Sequence, residues 1–207
     1  MSRKFNIAID IDGVLRDVVF TAVRLYNKTF AAATGRILTP EDVTEYNFAN
    51  SFTELKDPVK WIFEDNIREV LLHSPAFSGV YNAVLQLSAY CNITFLSKQP
   101  SEMAQYMTTK WLWNKGLGGL ANEITFFCDH KRDHTDPYDI VVDDYPDNFR
   151  NMRPDQMAVL IDAPYNRSFD PNNYPGMFPA NLIRFKSLID FSNHFCSFIG
   201  GPVNSPK

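Results

Sequence analysis

Phe5-Asn6-Ile7-Ala8-Ile9-Asp10-Ile11-Asp12-Gly13 begins as a short apolar run and breaks into two carboxylates and a glycine. A compact β-branched run that stops at polar residues suits a strand buried on both faces of a parallel sheet. The same form returns four times: Asn92–Leu96 ends at Ser97-Lys98, Glu123–Phe127 precedes Cys128-Asp129-His130-Lys131, Ile140–Val142 ends at Asp143-Asp144, and Met157–Ile161 ends at Asp162. Most of these runs are separated by helical stretches. The fold expected is therefore α/β, a Rossmann-like parallel sheet sandwiched by helices.

About 80 residues separate Gly13 from Asn92, far more than one right-handed crossover needs. Within them Val18–Phe30 has apolar residues at roughly helical spacing, and Thr39-Pro40-Glu41-Asp42 reads as an N-cap, a first-turn proline and two acids. Asp57-Pro58 repeats that entry, leading through Val59, Trp61, Ile62, Phe63 and Ile67 to Val70 and Leu71. The spacing predicts a small helical cap at 17–77, inserted between the first and second strands, with residues 1–16 and 78–207 forming the core. A shorter helix near Val80–Tyr90 leads into the second strand, and Pro100-Ser101-Glu102 opens another towards Gly116. From Leu182 the chain has a last apolar stretch, a weak helix and a frayed, glycine- and proline-containing end.

Composition narrows the function. With 45% hydrophobic residues and a net charge of −4, intrinsic disorder is excluded. The 20 basic and 24 acidic residues include no Lys/Arg run longer than a pair, which argues against extended nucleic-acid binding. Phe5–Ile9 is too short for a signal peptide, and nothing approaches the ~18 apolar residues of a membrane span. Cys91, Cys128 and Cys196 are widely spaced, as for free thiols in a reducing compartment. A cytoplasmic protein without membrane partners is expected, with a homodimer as its assembly.

Ligands of open α/β sheets bind beyond the carboxyl ends of the strands. Four strands deliver Asp10 and Asp12, Ser97 and Lys98, Lys131 and its neighbours, and Asp143 and Asp144 to that edge. Strand alternation puts Asp10 and Asp12 on one side, and Gly13 permits a sharp turn. Carboxylates gathered this closely repel unless a cation intervenes, and Mg²⁺ suits an all-oxygen set. The plainer alternative is a solvated Asp-Gly turn. His130 and His134 have a spacing that binds zinc on a helix, but their Asp- and Arg-rich setting reads as a loop.

Ile7-Ala8-Ile9-Asp10-Ile11-Asp12-Gly13-Val14-Leu15 resembles the first motif of the haloacid dehalogenase-like phosphohydrolases. Thr94-Phe95-Leu96-Ser97 and Ile140-Val141-Val142-Asp143-Asp144 are similar to that superfamily's second and fourth motifs, in order, with a looser lysine as the third. Asp143-Asp144-Tyr145-Pro146-Asp147-Asn148 and Asp162-Ala163-Pro164-Tyr165-Asn166-Arg167 make the chain most like the 5'(3')-deoxyribonucleotidases.

The resemblance implies an Mg²⁺-dependent phosphomonoesterase acting on (deoxy)nucleoside monophosphates through an aspartyl-phosphate. Asp10 would be the nucleophile and Asp12 the acid and base. Asp10, the Asp12 backbone carbonyl and Asp143 would hold the metal. Ser97 and Lys131 would bind and balance the phosphate, with Lys98 beside them. Arg132 and Lys98 compete with Lys131 for the third-motif role. The nucleotidases carry a base-stacking aromatic six residues after the second aspartate, where this chain has Val18; Phe20, Trp61 and Tyr165 are the candidates to replace it. Two other readings stand beside this one: the same machinery on a sugar phosphate or a nucleic-acid 3'-phosphate end, and a non-catalytic nucleotide-sensing protein.

Overall fold

β1 (Phe5–Ile9), β2 (Cys91–Lys98), β3 (Glu123–Phe127), β4 (Ile140–Asp143), β5 (Met157–Ile161) and β6 (Leu182–Phe185) form one parallel sheet of order β3-β2-β1-β4-β5-β6. This is a computed structural model describing residues 4–99, 101–150 and 152–200. The expected helix start at Pro100, residues 1–3 of the core and the chain end beyond Gly200 lie outside the described residues. The five strands read from the sequence are all present, and β6 is the last apolar stretch, interrupted by Arg184.

Alternate residues of the central strands feed two clusters. Ile7, Ile9, Ile93, Phe95, Val142 and Val159 face α4 (Val80–Ser88), α5 (Glu102–Asn114) and α6 (Leu188–Gly200). Ala8, Leu96, Val141, Ala158 and Leu160 face the other way, covered by Phe127, Phe149 and Met152 from strand ends and short turns. Both faces are thus dry, which is why these strands read as continuous apolar runs. The order reverses at β1, whose neighbours β2 and β4 lead away to opposite edges, so the crevice at its carboxyl end is the switch point where such sheets bind ligands.

Between β1 and β2 lie α1 (Val18–Thr34), a 3₁₀ turn at Pro40–Asp42, α2 (Pro58–Lys60) and α3 (Ile67–His73). Asp17 caps α1 by accepting from the Phe20 amide at 2.9 Å, and Gly35 ends it in the left-handed conformation. The spacing from Val59 to Leu71 reads as one helix; the structure has a π-turn at Trp61–Asp65 between α2 and α3. Asn66 is responsible, because its backbone amide and its side-chain amide both donate to the Trp61 carbonyl, at 3.1 and 3.0 Å. Tyr26, Phe52, Ile62, Val70 and Leu71 form a separate apolar cluster, joined from the core side by Ala104.

The two chains joining this insert to the sheet are paired. The Asp17 amide donates to the Pro75 carbonyl at 2.9 Å, and the Phe77 amide donates to the Leu15 carbonyl at 3.0 Å. Among the described residues no helix is long and apolar enough to cross a membrane.

Candidate active site

At the tip of β1 the Asp10 amide donates to the Val142 carbonyl of β4 at 2.9 Å, which fixes the backbone where the strand ends. The Asp10 carboxylate is buried and accepts from the Ile11 amide at 2.8 Å. Its Oδ1 also lies 2.6 Å from Lys131 Nζ, and the same ammonium reaches Asp143 Oδ2 at 2.7 Å. Lys131 opens a 3₁₀ turn (Lys131–His134) after β3 and is only 3% exposed, so a charge this deep requires both carboxylates. Burial works against its charge, but Asp10 and Asp143 outweigh burial and hold the ammonium above the ordinary lysine range. Arg132, the competing residue, is partly exposed beside Asp133, and Lys98 is exposed at the cavity rim.

Asp143 and Asp144 divide the work of the fourth strand tip. Asp143 is saturated: besides Lys131, it accepts from the Tyr145 amide at 2.8 Å and from Asn148 Nδ2 at 3.0 Å to each oxygen. The Asp144 side chain accepts from the Tyr165 hydroxyl through Oδ2, while its buried Oδ1 has no hydrogen-bond partner among the described residues. Room for Asp144 comes from Gly13, at φ 82°, where any Cβ would collide with that carboxylate.

Oxygens of Asp10, Asp143 and Asp144 lie within 4.8 Å of one another. Three buried carboxylates against one ammonium leave an excess of negative charge. Burial pushes Asp10 up to about 7, with Lys131 opposing it and Asp143 adding to it. Burial, then Asp143 and Asp10, likewise raise Asp144 well above the usual carboxylate range. An all-oxygen donor set with excess charge and an open, buried oxygen fits a hard divalent cation.

Asp12 is turned away from this cluster. Its Oδ1 accepts from Arg16 Nε at 2.6 Å and its Oδ2 from Gln99 Nε2 at 3.0 Å. Gln99 also donates to the buried Ser97 hydroxyl at 3.1 Å. Ser97 and Lys98 end β2, paired with Phe126 and Phe127 of β3.

Asp10, Asp12, Ser97, Gln99, Lys131 and Asp144 line one end of a cavity of about 310 Å³. Its other wall is apolar and comes from the insert: Val18, Val19, Phe48, Val59, Phe63 and Leu71. Tyr46 closes one side, stacked on Tyr145 at 4.0 Å and edge-on to Tyr165 at 5.6 Å. Of the proposed replacements for an aromatic at Val18, Tyr165 lines the cavity, Phe20 is an exposed residue of α1, and Trp61 packs between Phe30 and Phe52. His134 pairs with Asp129 at 2.7 Å and stacks on Phe127, while His130 lines the cavity mouth, so the two do not share a ligand. Tyr46, Phe48, Gln99 and Arg16 were not singled out by sequence reasoning as site residues, and Asp144 was placed at the strand tips without a role of its own.

The family model described as 5' nucleotidase, deoxy (pyrimidine), cytosolic type C protein matches residues 3–174. Among solved structures, a haloacid dehalogenase-like family hydrolase from Streptococcus pneumoniae shares 17% identity over 94% of this chain and 100% of that chain, with a TM-score of 0.60. A haloacid dehalogenase-like hydrolase from Burkholderia xenovorans gives 16% identity over 96% and 99%, with a TM-score of 0.57. YfnB from Bacillus subtilis, a hydrolase of this kind described as bound to magnesium, gives 14% over 93% and 99%, with a TM-score of 0.53. At these identities the likeness is one of fold. No curated protein matches the sequence.

Proposed function

The chain belongs to the family described as 5' nucleotidase, deoxy (pyrimidine), cytosolic type C protein and is a phosphoric monoester hydrolase, and from that premise we propose that it dephosphorylates (deoxy)nucleoside monophosphates through an aspartyl-phosphate, with Mg²⁺. The observation that carries the reading is the Asp10–Lys131 pair, backed by Asp143, at the floor of a cavity whose opposite wall is apolar. A phosphate bound there would meet the nucleophile and the ammonium, and a nucleoside would meet the apolar wall.

Asp10 attacks phosphorus, the bond to the leaving oxygen breaks, and Asp12 gives that oxygen its proton. Water then attacks the acyl phosphate, Asp12 takes its proton, and Asp10 is released. Lys131 keeps Asp10 oriented and offsets the phosphoryl charge, while the Ser97 hydroxyl and the Lys98 ammonium donate to phosphoryl oxygens. Asp10, the Asp12 carbonyl and the Asp143-Asp144 pair would hold the ion, with Asp144 offering the free oxygen and Asp143 anchoring Lys131. When bound, the ion would neutralise charge shared by the nucleophile and phosphate. The insert, between paired linkers at Leu15–Asp17 and Pro75–Phe77, would act as a cap at 17–77 that shields the reaction from bulk water.

Phosphate release from dUMP, dTMP, dGMP, ribonucleotides and sugar phosphates, with Mg²⁺ or with chelator, tests this directly. Nucleotides should be the preferred substrates, and Asp10→Asn should abolish turnover. A sugar phosphate preferred over every nucleotide would overturn the substrate, and equal activity of Asp10→Asn would overturn the nucleophile.

A further inference from the structure

Arg16 is the only fully buried arginine among the described residues, at 0% exposure. A guanidinium out of water must have its donors met, and here they are met by groups from three parts of the fold. Nε donates to Asp12 Oδ1 at 2.6 Å. Nη1 donates to the Leu71 carbonyl of α3, and Nη2 donates to the Thr108 hydroxyl of α5 at 3.0 Å. The guanidinium carbon lies over the Trp111 ring, 5.2 Å from its centroid, and Trp111 Nε1 in turn donates to the Ser74 carbonyl at 2.8 Å.

The backbone of Arg16 is held as firmly. Its amide donates to the Ile11 carbonyl at 2.8 Å, and its carbonyl accepts from the Gly13 amide at 2.9 Å. It also forms bridges to Asp12 and to Ala76, at the point where the insert joins the sheet. The guanidinium is therefore fixed at both ends, and only its Nε is directed at the site. With Gln99 on the other oxygen, the Asp12 carboxylate has its plane set by two donors from opposite sides.

We infer that Arg16 is the positioning residue for Asp12: anchored by Leu71 and Thr108, it aims the carboxyl group at the leaving oxygen. Arg16 touches neither substrate nor phosphorus in this scheme and transfers no proton. The inference rests on the assignment of Asp12 as proton donor. A misaimed donor harms the expulsion of a basic leaving group far more than that of a phenolate, which leaves without help. A purely structural loss would lower all substrates together.

The test is kcat/KM, with Mg²⁺ present, across substituted phenyl phosphates whose leaving phenols span a range of acidity. This constant reports transfer to Asp10, the half-reaction in which the leaving group takes part. Arg16→Gln should lose about tenfold or more on the least acidic phenol and about threefold or less on nitrophenol, a fraction of the ~10²–10⁴ available to a general acid. Thr108→Val removes one anchor while keeping side-chain shape and should steepen the dependence in the same direction by a smaller factor. Asp12→Asn should give the steepest dependence of all. A steep Asp12→Asn with flat Arg16→Gln and Thr108→Val overturns the role of Arg16 alone. A flat Asp12→Asn overturns the proton-donor assignment beneath it. Should Arg16→Gln fail to fold, a flat Thr108→Val overturns the inference by itself.

Discussion

Removing divalent cations should make the protein less stable as the pH rises from about 4 to 7.5, the opposite of the trend for a protein stabilised by its carboxylates. The cause is Asp10, which burial, against the opposition of Lys131, raises from its ordinary 3.8 to about 7. Between those limits the folded protein keeps a proton that the unfolded chain releases, so each rise in pH favours unfolding. Stability is full below 3.8 and is lost as the pH climbs through about 7. The interval corresponds to a ceiling of about 4 kcal/mol. For a chain of this length that is a fall in Tm of up to about 15 °C. Asp144 is displaced in the same direction by burial first and then by Asp143 and Asp10, so it adds to the slope. Mg²⁺ takes the place of the proton: at 100 times its Kd it should restore about 2.7 kcal/mol at pH 7.5. Differential scanning fluorimetry from pH 4.5 to 8, with chelator and with Mg²⁺, reads both effects. Asp10→Asn should flatten the chelator curve. A chelated wild-type curve that rises with pH, or an Asp10→Asn curve of unchanged slope, would refute the reasoning.

Two further outcomes follow from single positions. Gly13→Ala sets a Cβ against the Asp144 carboxylate at a backbone conformation costing about 1–2 kcal/mol for L residues, so Mg²⁺-induced stabilisation measured by fluorimetry should shrink or vanish. Burial pushes the Cys91 thiol up to about 12, while Cys128 is exposed; a chromogenic disulfide reagent should therefore modify Cys128 rapidly in the native protein and reach Cys91 only on unfolding.

The strand tips were legible because burial on both faces leaves an apolar run no room for charge until the strand ends. Asp10, Ser97 and Asp143 are therefore found by the point at which each run stops. Lys131 could not be separated from Arg132 in this way, since the direction of each side chain is set by a four-residue 3₁₀ turn with no apolar period of its own. Asp144 was legible as a strand-tip carboxylate but its role was not: only the absent side chain of Gly13 makes space for it beside Asp143. Arg16 follows directly on the first motif, which ends at Leu15, and had no part in the sequence reading. Its burial depends on carbonyl and hydroxyl acceptors 55 and 92 residues away, which no local pattern reports. Tyr46 and Phe48 sit in an irregular stretch of the insert, where neither helical nor strand spacing applies.

The hydrogen bonds between Leu15 and Phe77 and between Asp17 and Pro75 bring the insert's entrance and exit to a single doorway in the sheet. A splice there would reroute no strand, yet Leu71, inside that insert, also holds the Arg16 guanidinium. Any lobe transplanted through that doorway would have to bring its own carbonyl to meet the guanidinium, or the setting of Asp12 would leave with the lobe it replaced.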